Sequence, residues 1–314
     1  MHKHCHDPVK QFIPRSNMTV NDLVKEMGKA GAYNGGNLAH AVDIYEKMLT
    51  EPDITKFVGL SGAMVPAGMG GIVSTLIEKG HVDVLTSTGA NLTHDVIEAI
   101  GGHHYHGQAE CDDLKLRDDN VNRIYDIFLP NEEYEKLEEF IQNVYNDLPE
   151  EPITISQLLR KIGEQLDSGI LATAAKHNIP VYCPAYQDSV LGLQYWMYSQ
   201  FHPRTILNAI GDMHDLLNIA FNAKKAGALL IGGGVPKNYT LQTMLMTDNA
   251  FKYVIQLTGD RPDLGGLSGA TLDEAKSWGK IGPGGIGVTV YGDATITLPI
   301  LTTATLERLE NNKQ

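Results

Sequence analysis

Short apolar runs that end in glycine or small polar residues recur along the chain. Residues 56–60 read as a strand that empties into a glycine-rich turn at 61–71, and 72–79 continues as helix. The pattern repeats with a strand at 82–86, a small-residue turn at 87–91 and a helix from Thr93 to about Ile100. Two successive strand–turn–helix units are the signature of parallel strands joined by crossover helices. Further strands are expected at 179–183, at 226–231 before three glycines, and at 253–257 before Thr258 and Gly259. Residues 288–296 alternate as a last strand-like segment. Helical spacing marks 20–29, 38–49 and 131–144. These elements predict a doubly wound α/β fold with a mainly parallel sheet. Residues 1–34 form an N-terminal helical arm, and 35–314 form one domain with a more polar insertion near 103–150.

The formal net charge of −13 argues against a nucleic-acid partner, because phosphate binding needs a basic face, and suits a cationic ligand. Three cysteines, Cys5, Cys111 and Cys183, give no disulfide framework and fit a reducing cytoplasm. The N-terminus has no apolar stretch of the kind a signal peptide needs. No run approaches the ~20 apolar residues of a membrane span.

In open α/β sheets, ligands bind beyond the carboxyl ends of the strands. Four such ends carry glycine or small polar residues, at 61–71, 87–91, 232–234 and 258–259. Bare backbone and helix N-termini there suit a nucleotide pyrophosphate. A literal G-x-G-x-x-G at 282–287 precedes a strand instead of following one, and reads as a flexible loop. Two His/Cys groups lack the paired spacing of a structural zinc site and imply no metal. They are His2, His4, Cys5 and His6, and His103, His104, His106 and Cys111. Asp188, Asp212, Asp215, Asp260, Asp263, Glu274 and Asp293 sit in or near predicted strand-end loops, where together they would suit a polycation.

Residues 268–280 carry the sharpest signal. Thr271 and Asp273 seed a short helix that ends at Gly279 and presents Lys280, with Trp278 two residues and Glu274 six residues before it. A lysine at a helix end is either a surface charge favoured by the dipole or a nucleophile made reactive by desolvation. A free lysine titrates near ~10.4, whereas an amine nucleophile works best nearer ~7–8, a difference worth about 4 kcal/mol.

The segment Ser268-Gly269-Ala270, Glu274-Ala275, Ser277-Trp278-Gly279-Lys280 closely resembles the active-site signature of deoxyhypusine synthases. Asn122 to Ile124, Pro130 and Asn131, Pro184 to Asp188, the Gly232 to Lys237 stretch, and Asp293 to Thr295 with Pro299 extend the resemblance, in order, over roughly 35–305. The resemblance implies a Rossmann-like domain that binds NAD, in a homotetramer with sites at dimer interfaces. It implies NAD-dependent oxidation of a polyamine such as spermidine, capture of an aminobutyl group as an imine on Lys280, and transfer to an acceptor amine. Trp278 and Glu274 would line the amine site. NAD-contacting positions would be Gly62, Ala63, Pro66, Thr88, Gly89, Ala90, Asp188, Gly233, Thr258, Gly259, Asp293 and Ala294.

Departures accompany the matches. Gly62 and Ala63 replace a Ser-Asn pair, Thr93 and His94 replace paired glutamates, and Leu193 replaces an amine-anchoring aspartate. Asn238 replaces a histidine, and 264–266 lack the family's Asp-Gly-Ser. His94 and Asn238 are therefore the candidates for rebuilding amine contacts. Two readings follow. One is an aminoalkyl transferase, with homospermidine-synthase-type transfer to a small amine as a variant. The other is a nucleotide-binding homologue without catalysis.

Overall fold

Capping chemistry written into the sequence starts several of the helices. The computed structural model describes residues 7–312, so the His2, His4, Cys5 and His6 group lies outside the described residues. Thr19 accepts from Asp22 N in a capping box that opens α1 (Val20–Ala30), and Gly31, at φ 65°, closes it. The chain continues through α2 (Tyr33–Thr50), β1 (Ile54–Leu60), α3 (Gly70–Glu78), β2 (Val84–Ser87) and α4 (Gly89–Ala99). The polar stretch contains β3 (Tyr105–His106), α5 (Asp113–Asp118), β4 (Val121–Ile124), β5 (Ile127–Pro130) and α6 (Asn131–Asn146). Next come α7 (Ile155–Glu164), α8 (Gly169–Lys176), β6 (Val181–Tyr182), α9 (Val190–Ser199), α10 (Ala209–Asn222) and β7 (Lys225–Ile231). The last elements are α11 (Gly234–Gln242), β8 (Phe251–Thr258), α12 (Leu272–Ser277), β9 (Ile281–Tyr291) and α13 (Ala294–Asn311).

Six strands form one sheet in the order β6-β2-β1-β7-β8-β9, and every neighbouring pair is parallel. Taken in chain order within this sheet, the sequence of strands is that of the doubly wound dinucleotide-binding fold, with its reversal between β1 and β7. Period-two alternation divides the apolar residues between two cores. Val58, Leu229 and Ile231 face one core, with side chains of α2 and α13. Phe57, Ala228 and Leu230 face the other, with α10, α11 and α12. Phe57 and Phe251 meet edge to face at 5.4 Å across the second core.

The structure revises several boundaries. Residues 282–287 are not a loop but part of β9, and 288–296 are not one strand, because β9 ends at Tyr291 and α13 begins at Ala294. The pairing of β8 with β9 slips between Phe251 and Tyr253, which absorbs the glycine run. A Cβ at Gly285 would sit 2.8 Å from Phe251 O, so glycine is needed at that irregularity. β9 lies at the sheet edge, where Pro283 is tolerated. Within 103–150, β3, β5 and β4 make a separate antiparallel sheet. Helix α1 packs on α2 and α13: Arg308 binds Asn21 Oδ1 at 2.7 Å and Asp43 Oδ1 at 2.6 Å.

Candidate active site

A cavity of about 660 Å³ opens at the carboxyl ends of β1, β7 and β8, at the point of strand-order reversal. Three helices start on its wall. Thr88 caps α4, Gly233 precedes α11, and Asp293 caps α13 by accepting from Thr295 N at 2.8 Å. Each brings first-turn N–H groups that lack intrahelical partners, and the positive end of a helix dipole, to the same space. Gly62, Thr88, Gly89, Asp188, Gly233, Thr258, Gly259, Asp293 and Ala294 all line it. Ala63 and Pro66 instead line an adjoining groove of about 1020 Å³, which meets the cavity at Asp293. Ala90 is exposed on the first turn of α4 and lines neither space.

Buried polar side chains hold the cavity loops. Asn91 Oδ1 accepts from Met64 N at 2.9 Å and Val65 N at 3.2 Å, tying the first glycine-rich turn to α4. Ser61 Oγ donates to Gly233 O across the reversal point. Gln256 Nε2 donates to Gly232 O at 3.1 Å and Ser268 O at 2.8 Å. Gly232, at φ 78°, adopts a backbone conformation that favours glycine, and a Cβ on Gly233 would lie 2.4 Å from Ser268 Cα.

One turn beyond the cavity wall, α11 carries Lys237 and Asn238 towards Lys280. The helix α12 begins with a Thr271–Glu274 capping box and stops at Gly279, φ 73°. Lys280 then sets its backbone by donating to Ala275 O at 3.0 Å and accepting from Phe251 N at 3.1 Å. Its half-buried side chain donates from Nζ to Asn238 Oδ1 at 3.0 Å, and burial lowers its pKa. The Lys237 side chain is more deeply placed, with the residue 4% exposed and Nζ donating to Ala270 O at 2.5 Å. Burial pushes the Lys237 pKa down to about 8; the charge of Lys280 acts in the same direction and Glu274 opposes it.

Glu274 is exposed, and its carboxylate accepts from Thr271 N at 2.6 Å, so its first role is to cap α12. Trp278 is 68% exposed and leaves most of its surface to solvent in the isolated chain. His94 lines neither space. It is buried, and its Nδ1 lies 2.9 Å from His104 Nε2, while His104 Nδ1 lies 2.6 Å from Glu98 Oε1. Burial pulls the His94 pKa down to about 4, so it is neutral at pH 7.

Asp260 joins Asp188 and Asp293 on the cavity wall, whereas Asp212 is buried in α10 and accepts from Ser156 N at 3.0 Å. Among the described residues, no three His, Cys, Asp or Glu side chains are placed to hold a metal ion. Cys183 is a buried thiol whose pKa burial pushes up to about 12. Asn91, Gln256 and Lys237 are the site-organising residues that strand and turn patterns did not single out. Each is a polar side chain inside an apolar or small-residue run, though its partner lies elsewhere in the chain.

Residues 22–305 match the family described as DS: Deoxyhypusine synthase. A Methanosarcina mazei protein named probable deoxyhypusine synthase 1 is 53% identical over 309 residues, spanning 98% of this chain and 97% of that one. The crystal structure of an Entamoeba histolytica protein, provisionally named a deoxyhypusine synthase, superposes with a TM-score of 0.67. It is 20% identical and covers 93% of this chain and 94% of its own. A ternary complex of AgrE with ornithine and NAD+ superposes with a TM-score of 0.55 at 14% identity, covering 88% of this chain and 34% of that one. The two structural likenesses establish a shared fold.

Proposed function

The chain belongs to the deoxyhypusine synthase family, and on that premise we propose that it is a cytoplasmic, NAD-dependent transferase. It would move an aminobutyl group from a polyamine to an acceptor amine through an imine on Lys280. The observation that carries this reading is a half-buried lysine of lowered pKa bonded to Asn238 on α11, the helix that starts on the wall of a cavity ringed by three helix N-termini.

The residues present fit NAD. The cavity volume lies within the roughly 300–1,000 Å³ of small-molecule and cofactor sites. The starts of α4, α11 and α13 suit a pyrophosphate, and the bare backbone at Gly232 and Gly233 permits close approach. The Asp188 and Asp260 carboxylates can accept from ribose hydroxyls. A fold neighbour solved with NAD+ gives further support. When bound, NAD would supply hydride acceptance and return.

This chain's own residues would do the remainder. Lys280, eased towards its neutral form by burial, attacks the oxidised carbon of the donor. A bond forms from Nζ to that carbon, the donor's original carbon–nitrogen bond breaks, and the shorter amine departs. The acceptor amine then displaces Lys280 by the same exchange. The carboxylates of Asp188, Asp260 and Asp293 would attract the polyamine cation. Exposed apolar side chains on α9 and α10, among them Trp196, Met197, Ile210 and Phe221, support assembly of several copies, with a homotetramer the expected state.

A second reading, transfer to a small amine in the manner of homospermidine synthesis, is favoured by Leu193. It stands 54% exposed on α9 where the resemblance has an amine-anchoring aspartate. One experiment tests the chemistry common to both. The protein is incubated with NAD and spermidine, reduced with borohydride, and digested, and the mass of the Lys280 peptide is measured. An aminobutyl adduct is expected. Absence of any adduct, with spermidine or other polyamines, would leave the non-catalytic nucleotide-binding reading standing.

A further inference from the structure

Resting on the transferase reading, we propose that Asn238 positions Lys280 and does not contact the amine substrate. Lys280 Nζ lies 3.0 Å from Asn238 Oδ1, and the ammonium can only donate, so the amide must present its oxygen to the lysine. The other end of the amide is fixed as well: Nδ2 donates to Gln242 Oε1 at 3.1 Å, four residues along the same helix. Donor and acceptor roles along Lys280–Asn238–Gln242 are thus mutually consistent, and a flipped amide would break both bonds.

The scaffold under this chain is firm. Helix α11 starts at Gly233 on the cavity wall, and Lys237 binds it to the loop before α12. The nucleophile is therefore tied through one amide to the helix whose N-terminus faces the nucleotide space. Of the charged groups nearby, Lys237 on α11 interacts with Lys280 and is itself faced by Glu274 of α12, while Lys276 on α12 is paired with Asp273 at 2.8 Å.

The choice of an amide has a chemical consequence. An amide oxygen accepts from an ammonium and from a neutral amine alike, and it does not titrate. A carboxylate here would hold Lys280 in its charged, unreactive form. An imidazole would lose its acceptor on protonation. Asn238 keeps Lys280 oriented through proton loss and opposes that loss far less than a carboxylate would.

The test measures Lys280 directly. Wild type, Asn238→Asp, Asn238→Leu and Gln242→Leu are labelled with acetic anhydride across a range of pH, and the extent is read from the Lys280 peptide mass. The pH midpoint of labelling should rise by at least about one pH unit in Asn238→Asp, where an opposite charge faces the lysine. It should fall in Asn238→Leu. Gln242→Leu should lie between Asn238→Leu and wild type, because its amide is free to turn. In turnover with spermidine and NAD, Asn238→Leu should lower kcat by about tenfold or more with little change in KM. Identical midpoints in all four proteins, or a raised KM at constant kcat in Asn238→Leu, would overturn the proposal. Asn238→Asp, the isosteric change, carries the test if the leucine variant does not fold. Labelling needs no turnover, so its failure is distinguishable from failure of the transferase reading in the borohydride experiment.

Discussion

Replacing Lys237 with methionine removes a buried ammonium and keeps an unbranched apolar stem. In the wild type, Nζ donates to Ala270 O at 2.5 Å, with Leu267 O at 3.4 Å and Ser268 O at 3.5 Å. Burial moves its pKa from 10.5 to about 8. At about 1.36 kcal/mol per pH unit, the folded state disfavours the charged form by about 3 kcal/mol. That figure is an upper bound, because the three carbonyls favour the ammonium. The folded pKa lies below the unfolded one, so the unfolded chain holds more protons between about pH 8 and 10.4, and stability rises with pH across that window. At neutral pH, relief of the desolvated charge is offset by loss of a charge-assisted bond worth about 1.5–3 kcal/mol, leaving a net change of no more than about 1.5 kcal/mol. Urea unfolding of both proteins at about pH 7 and about pH 9.5 should show the wild type gaining about 1–3 kcal/mol relative to Lys237→Met. Tyr145 and Tyr182, whose pKa values burial raises, act in the opposite sense but are common to both proteins and cancel in the difference. Hydrogen exchange should also quicken in the variant over residues 265–270, which lose their tether. Parallel stability curves over this pH range would refute a buried, titrating Lys237.

Three other outcomes are expected. Gly233→Ala drives a Cβ to 2.4 Å from the Ser268 backbone and should weaken NAD binding at least about tenfold by calorimetry; unchanged affinity would contradict the cavity as the nucleotide site. His94 has a folded pKa of about 4 against a usual 6.5, so the unfolded chain protonates first and stability is lost as pH falls through that interval. His94→Gln should flatten this acid limb by up to about 3 kcal/mol in thermal or urea unfolding, and an unaltered limb would place the titration elsewhere. Leu193→Asp restores a carboxylate on α9 and should lower the KM for spermidine about tenfold, as one added ion contact of roughly 1.5–3 kcal/mol allows. An unchanged or higher KM would put this position outside the amine site.

The strand ends were the legible part of this protein. Apolar runs that stop at glycine or small polar residues marked where β1, β2, β7 and β8 end, and the cavity opens at those ends. The Lys280 turn was legible for a related reason: Thr271 at the start and Gly279 at the stop leave few alternatives. What stayed hidden was set by tertiary partners. Glycine and proline at 282–287 argue locally against a strand, yet pairing with β8 and an edge position overrode that preference. The segment 288–296 alternates past its true end, and only the Asp293 cap, visible once Thr295 N points at it, breaks the pattern. His94 looked like a ligand because of what it replaces, but its burial against His104 depends on a loop ten residues away. Lys237 sat in plain view within a glycine motif. Its role follows from carbonyls about thirty residues onward, which no local spacing reveals.

The contact between Ser61 and Gly233 joins residues 172 apart, at the junction of the two halves of the sheet. Neither half owns the cavity. Its floor exists only after β1 has found β7, one of the most distant pairings in the chain and among the slowest kinds to form. The cavity is therefore completed late in folding. Any ligand that binds there favours the completed sheet over a species in which one half stands alone. Fragments ending before β7 would have strands and helices but no place for the ligand to rest.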